Sequence, residues 1–139
     1  MRTNSIFPVV PAHDVARSRD FYAGLLGLRV VFDSGWYVQL QAATDETVQL
    51  GLVARGHETI PRAHLSAPAG VLISVEVDDV DAVYARAGDL ALPVASDLRD
   101  EDFGQRHFMT VDPDGLLVDV ITVIPYAPEV AGSGAVVTG

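Results

Sequence analysis

Cysteine is absent from this chain of 139 residues. Without thiols there can be no disulfide framework, thiolate metal site or cysteine nucleophile, and a cytoplasmic location is the simplest expectation. Long apolar runs are also missing, since no stretch of the sequence approaches the ~18 residues that span a bilayer. The N-terminal segment MRTNSIFPVV lacks the apolar core of a signal peptide. We therefore expect neither a membrane span nor a secretion signal.

Basic residues are scarce. Nine lysines and arginines stand against nineteen acidic residues, which gives a formal net charge of -10. A polyanion such as nucleic acid is therefore not expected as a partner, whereas the long-range field favours a cationic ligand. Apolar residues make up 49% of the chain, which is enough for one folded domain or for two half-domains that share a core.

The stretch from Gln105 to Val123 predicts a β-hairpin. Its turn is Asp112-Pro113-Asp114-Gly115, in which proline presets one backbone angle and glycine tolerates a conformation that a Cβ would disfavour. The apolar run after this turn predicts a strand buried on both faces. Asp119 interrupts the run, and a buried carboxylate there must be paired, hydrated or functional.

A strand, an Asp-Val pair and an amphipathic helix occur twice in the sequence. Asp14 and Asp79 both precede valine, both suit the N-cap of a helix, and lie 65 positions apart. The predicted helices span residues 14–26 and 79–87, and each is followed by a glycine, Gly27 and Gly88. The pattern predicts two copies of one βαβββ arrangement.

The predicted strands divide between the two copies. Those outside the hairpin span residues 5–11, 28–33, 36–41, 47–53, 71–77 and 92–96, and residues 97–104 are predicted as an acidic loop. We assign residues 1–54 to the first module, 55–69 to a linker, 70–124 to the second module and 125–139 to a flexible C-terminal tail. One helix cannot cover both faces of a four-stranded sheet, so each sheet needs a second partner.

The helix DVARSRDFYAGLLGL, the repeat DDVDAVYARA and the ending GQRHFMTVDPDGLLVDVI together resemble the vicinal oxygen chelate superfamily, which includes glyoxalases, bleomycin-resistance proteins and dioxygenases. The resemblance spans residues 6–124. It implies an α+β fold of two tandem βαβββ modules that form a cup-shaped mixed β-sheet, commonly in a homodimer. It does not imply which reaction, if any, the chain catalyses.

The same resemblance implies where a metal would bind. Metal-dependent members place His or Glu at four strand positions, which correspond here to Phe7, Gln49, Leu72 and Asp119. Phe7 and Leu72 have no atom that can bind a cation, and only Asp119 is a good oxygen ligand. We therefore expect no cofactor, and a divalent metal is disfavoured although still open, which puts metal-dependent lyase or dioxygenase activity in doubt.

Two functions remain open. One is a metal-free protein that binds or sequesters a small organic ligand, cationic or aromatic, with antibiotic resistance as one possible role. The other is a lyase, isomerase or dioxygenase with atypical or no metal ligands. The residues predicted to line the ligand site are Phe7, Trp36, Gln49, Leu72, Ser74, Phe103, His107 and Asp119. His107 is open to either a structural or a functional interpretation, because its side-chain direction depends on the strand register.

Overall fold

The computed structural model describes residues 1–128. The end of the predicted tail, residues 129–139, lies outside the described residues, and so does the segment 130–139 whose deletion we expect to leave the melting temperature unchanged. In the part of the chain that is described, no helix is long and apolar enough to cross a membrane. The chain divides into two compact units. The first unit holds residues 1–71 with 112–116, and the second holds residues 72–111 with 117 onward.

The first unit is one βαβββ module. Its elements are β1 (Val9–Ala12), α1 (Val15–Leu26), β2 (Arg29–Asp33), β3 (Tyr37–Gln41) and β4 (Gln49–Ala54), followed by a 3-10 turn at Arg62–His64. The sheet order is β1-β4-β3-β2, with β1 and β4 parallel and the other neighbours antiparallel. The helix lies against β3 and β4. Beneath it, the fully buried core side chains of this unit are Tyr22, Leu25, Val38, Leu40 and Leu52.

The second unit repeats this topology. Its elements are β5 (Leu72–Glu76), α2 (Val80–Asp89), β6 (Val94–Glu101), β7 (Gln105–Val111) and β8 (Leu117–Val123), in the sheet order β5-β8-β7-β6. Its core lies between α2 and one sheet face and contains Val80, Val83, Ala87, Phe108, Val118 and Val120. The predicted α+β fold of two βαβββ modules is therefore confirmed. Phe108 is a core residue in edge contact with Tyr84.

Both helices begin where the sequence predicts. The Asp14 carboxylate accepts a hydrogen bond from the backbone N–H of Arg17, and Asp79 accepts one from Ala82, each at 3.1 Å. α1 also ends as predicted, with Gly27 in the left-handed conformation at φ 68°. The predicted end of α2 is wrong, because the helix continues through Gly88 to Asp89. Nothing in the φ/ψ of a glycine forces a helix to stop, and here the left-handed angle falls on Ala91 at φ 54°.

The predicted acidic loop is largely a strand. β6 runs for eight residues and pairs with β7 through two irregularities in register, whereas the sequence predicted a strand of five residues. The charged side chains occupy an edge strand, where they contact solvent and one another. The charged residues of this segment therefore led to the prediction of a loop where the structure has a strand. β1 is shorter than predicted, beginning after Pro8, and its own Pro11 is tolerated because β1 is also an edge strand.

The Asp-Pro-Asp-Gly turn is held by two carboxylates in the first unit. Asp112 is buried and accepts hydrogen bonds from the hydroxyl of Tyr22 at 2.8 Å and from the backbone N–H groups of Asp114 and Leu116, both at 2.9 Å. The Asp114 carboxylate pairs with Arg55 at 2.7 Å and also accepts from the backbone of His13 at 2.9 Å and from Ser18 at 3.3 Å. Burial and the neighbouring Asp112 raise the pKa of Tyr22.

Candidate functional site

Each sheet has one face covered by its helix and a second, helix-free face, and the polar candidates lie on the helix-free faces. In the first unit, strand alternation and register place Tyr37, Gln39 and Gln49 on that face, opposite to the buried Val38 and Leu40. The Tyr37 hydroxyl donates to Gln39 Oε1, and Gln39 Nε2 donates to Gln49 Oε1 at 2.7 Å. We call these three side chains the amide relay.

Gly51 makes room for the amide relay. A Cβ at this position would lie 2.6 Å from the Tyr37 hydroxyl and 3.0 Å from Val9 Cγ2, so any larger residue would displace the tyrosine. The Tyr37 side chain is half-buried, and this burial raises the pKa of its hydroxyl. The hydroxyl therefore stays a hydrogen-bond donor at neutral pH. The relay leaves Gln49 Nε2 at its end as a donor for an outside acceptor.

Aromatic rings border the same unit. Trp36 stacks on His57 with ring centroids 3.8 Å apart and an angle of 5° between the planes. The His57 ring is fixed in turn, because its Nδ1 accepts a hydrogen bond from the backbone N–H of Thr59 at 3.2 Å. Trp36 also lies 5.9 Å from the Tyr37 ring, and its side chain is 38% exposed. The exposed indole is thus held in place by neighbours and still offers apolar surface to a ligand.

In the second unit a buried histidine pairs with a buried carboxylate. Register pairs Asp119 on β8 with Met109 on β7, and His107 lies two residues before Met109, so both polar side chains project from the helix-free face. His107 Nδ1 lies 2.8 Å from Asp119 Oδ1. His107 is 5% exposed and Asp119 is 7% exposed. Asp119 is therefore paired, which answers the question that its position in an apolar strand raised.

The other ring nitrogen of His107 has no hydrogen-bond partner within residues 1–128. Glu101 Oε1 lies 3.8 Å from this Nε2 atom, which is beyond hydrogen-bond range, and the same oxygen lies 2.6 Å from Arg99 Nε. The Phe103 ring approaches the His107 ring edge-on with centroids 6.5 Å apart. His107 is therefore anchored on one side by Asp119, and on the other side its Nε2 atom is buried without a hydrogen-bond partner among the described residues.

The remaining predicted site residues differ in how well they are placed. Ser74, on β5, pairs in register with Asp119 on the neighbouring strand β8 and is exposed on the same face. Leu72 is also on β5 and is 46% exposed. Phe103 is 49% exposed at the β6–β7 turn, and Phe7 is half-buried two residues before β1. The structure thus brings Ser74, Phe103, His107 and Asp119 to one side of the second unit. Trp36 and Gln49 belong to the first unit.

The side chains at the four positions that the resemblance assigns to metal ligands do not fit a metal ion. Phe7 and Leu72 have no lone pair to donate. Gln49 Oε1 already accepts from Gln39, and Asp119 Oδ1 is engaged by His107. Among the described residues, no three His, Asp or Glu side chains are grouped so as to hold an ion. A divalent cation that needs several oxygen or nitrogen ligands would find one free carboxylate oxygen at these positions.

Comparison with known proteins identifies the family of this chain. Residues 6–120 match the sequence model of the Glyoxalase/Bleomycin resistance protein/Dioxygenase superfamily. The chain belongs to this superfamily. The predicted resemblance is therefore confirmed, over most of the chain. Among curated proteins, no significant match is found.

Solved structures of this superfamily's fold agree with the two-module architecture. TnmS3, an antibiotic binding protein from Streptomyces sp. CB03234, is 26% identical with a TM-score of 0.69, over 88% of this chain and 97% of that one. A protein of unknown function from Agrobacterium tumefaciens is 28% identical with a TM-score of 0.69, over 89% and 95%. Lactoylglutathione lyase from Agrobacterium tumefaciens, at 21% identity, TM-score 0.68 and coverage of 88% and 96%, shares the fold.

Sequence reasoning missed several residues that the structure places at these groups. Glu101 was assigned to a loop, although it lies at the end of β6 and faces His107. Gln39 and Gly51 were passed over, although the alternation of Gln39 and Gln41 with Val38 and Leu40 was a signal that their side chains share a face. His57 was treated as a residue of an irregular linker, and nothing in the sequence marks its stack on Trp36.

Proposed function

We propose that this chain is a superfamily member that binds a small organic ligand without the family metal. The observation that carries the proposal is the fate of the four family positions, where two side chains are apolar and the other two are engaged by Gln39 and His107. Small-molecule sites combine apolar walls with a few convergent polar groups. The amide relay beside Trp36 and the His107–Asp119 pair beside Phe103 have this character.

The ligand class follows from the same groups. The exposed indole of Trp36 suits a planar ring, and cationic groups gain about 0.5–2 kcal/mol on an aromatic face. The net charge of -10 speeds the approach of a cation at low salt. A planar or partly cationic natural product, such as an antibiotic, fits these features. The antibiotic-binding TnmS3, similar over nearly its whole length, supports this choice.

A thermal-shift panel tests the proposal. Antibiotics of planar and cationic type, and separately Zn²⁺, Ni²⁺, Mn²⁺ and Fe²⁺, are added to the purified protein. A ligand at 100 times its Kd raises the unfolding free energy by about 2.7 kcal/mol, so a bound antibiotic should raise the melting temperature by several degrees. Stoichiometric metal in the purified protein, removed by chelation with loss of stability, would refute the metal-free proposal. A flat response to every organic compound would refute ligand binding.

An enzyme with atypical or no metal ligands is the second candidate, and the His107–Asp119 pair favours it. A histidine whose Nδ1 is oriented by a carboxylate resembles the arrangement that holds an imidazole ready to exchange a proton at Nε2. Mass spectrometry of a bound compound after prolonged incubation separates the two candidates. Recovery of the compound unchanged supports binding, and its conversion, lost in His107→Gln, supports catalysis.

We also propose that the chain forms a homodimer. The support is the family resemblance and the exposed apolar residues of the edge strand β2, namely Val30, Val31 and Phe32. A stable obligate interface buries above ~2,000 Å² in total, which would remove such residues from water. Light scattering at micromolar concentration should report twice the 14.8 kDa mass of the chain.

A further inference from the structure

The Nε2 atom of His107 is buried without a hydrogen-bond partner among the described residues, and the carboxylate of Glu101, which pairs with Arg99 at 2.6 Å, lies 3.8 Å from it. We propose that together they form an acceptor pair for the primary amino group of a ligand. This inference rests on the proposed small-molecule function and names the ligand chemistry at one point of that site. Neither residue is at one of the four positions that the resemblance assigns to metal ligands.

The proton on His107 follows from its neighbour. An ionised carboxylate can only accept hydrogen bonds, so the Nδ1 atom 2.8 Å from Asp119 Oδ1 is the ring nitrogen that carries the proton. In the singly protonated ring, Nε2 then has a lone pair and acts as an acceptor. The group that completes its hydrogen bonding must therefore be a donor.

Glu101 sets how many hydrogens that donor needs. Its Oε1 atom lies 3.8 Å from Nε2, so two acceptors face each other across a gap too long for direct bonding. One nitrogen that lies to the side of the line joining the two atoms, ~3 Å from each, can bond both only if it carries at least two hydrogens. A primary ammonium meets this requirement, whereas a hydroxyl offers one hydrogen and leaves one acceptor without a partner.

Charge favours the cation over a neutral donor. Glu101 and Asp119 bring two carboxylates to this cluster, and Arg99, on the same strand as Glu101, offsets one of them at 2.6 Å. Arg99 is 62% exposed, so its charge is more strongly screened by solvent than that of Asp119. Phe103 lies edge-on beside His107 and is half exposed, which gives an aromatic amine an apolar neighbour.

Benzylamine is the test probe, with benzyl alcohol as the matched uncharged compound. In ¹⁵N-labelled whole protein, His107 Nε2 should show the chemical shift of a lone-pair nitrogen, and benzylamine should move it while benzyl alcohol leaves it unchanged. Glu101→Gln should weaken benzylamine binding at least tenfold. Glu46→Gln, which removes the same charge from an exposed turn of the first unit, should change binding less than twofold.

Four outcomes would overturn the proposal. These are a protonated Nε2 in the free protein, equal binding of the alcohol, equal losses in Glu101→Gln and Glu46→Gln, and a response of Nε2 to Zn²⁺ but not to the amine. The ¹⁵N measurement on the unaltered protein stands even if a variant misfolds. An antibiotic that binds Glu101→Gln undiminished would leave the proposed function intact and remove only the amine site.

Discussion

Each unit caps its helix with an aspartate at the same place in the module, and the two capping bonds have the same length, 3.1 Å. The helix-free faces of the two units are chemically different. The first carries the uncharged amide relay, and the second carries a histidine between carboxylates. Gly51 and Asp119 occupy corresponding positions in the two modules, because each pairs with the strand residue five positions before its helix cap. Yet one leaves space for a tyrosine hydroxyl, and the other bonds to an imidazole. The repeated part of the molecule is therefore its scaffold, and the chemistry that could select a ligand is not repeated.

Two of the turns that connect strands also differ, in how firmly a carboxylate holds them. The turn after β7 is held by the buried Asp112, whereas the turn after β3 contains the exposed Asp45, whose carboxylate accepts hydrogen bonds from Thr47. We expect Asp112→Ala to lower the free energy of unfolding by about 3 kcal/mol, because it leaves a tyrosine hydroxyl and two backbone N–H groups without their acceptor. Denaturant titration measures the change.

Asp45→Ala is the matched control for that experiment. Its carboxylate lies in solvent, so its loss should lower the free energy of unfolding much less than the loss of Asp112 does. Equal costs for the two substitutions would mean that the buried carboxylate does not hold its turn more firmly than the exposed one.

Alkaline pH should separate Tyr22 from the other tyrosines. Burial and Asp112 raise the folded-state pKa of Tyr22 above the ordinary value near 10. The stability linked to this group is complete below pH 10 and is lost as the pH rises further, because the unfolded chain releases the proton first. The slope is about 1.4 kcal/mol per pH unit for one proton. In Tyr22→Phe this contribution to the slope should vanish; an unchanged slope would assign it to Tyr37 instead.

The two helix-end glycines should respond to alanine with opposite signs. Gly27 has φ 68°, so Gly27→Ala should lower the free energy of unfolding by about 1 kcal/mol through backbone strain. Gly88 lies inside α2, and a Cβ there would meet nothing within 4 Å. Gly88→Ala should raise the same quantity by about 0.5–1 kcal/mol. Thermal melts of both variants measure the two changes in stability. A loss of stability in both variants would contradict the helical assignment of Gly88.

Local signals explain most of what the sequence predicted correctly. The helix caps, the glycine after α1 and the Asp-Pro-Asp-Gly turn depend on residues close in sequence, so they could be recognised without tertiary information. The errors occur where tertiary context decides. β6 is a strand because β7 pairs with it, although half of its own residues are charged and favour a loop.

The candidate site divides in the same way. The need of Asp119 for a partner followed from its buried strand, but the identity of that partner required the register between β7 and β8. The family resemblance predicts Gln49 as a site residue. The hydrogen bond that Gln39 donates to its side-chain oxygen depends on how side chains alternate along β3 and β4 and on the space left by Gly51. Long-range pairing therefore supplied every contact of the site that the sequence did not.

Trp36 is the one tryptophan of the whole chain, and it belongs to the first unit. Emission excited at wavelengths that only indole absorbs therefore comes from that unit alone, from a ring stacked on an imidazole. Circular dichroism of the peptide bonds reports both units together. Recorded side by side during unfolding, the two signals coincide if the units unfold as one cooperative body and separate if they do not. The molecule thus contains its own optical probe of how strongly its two halves depend on each other.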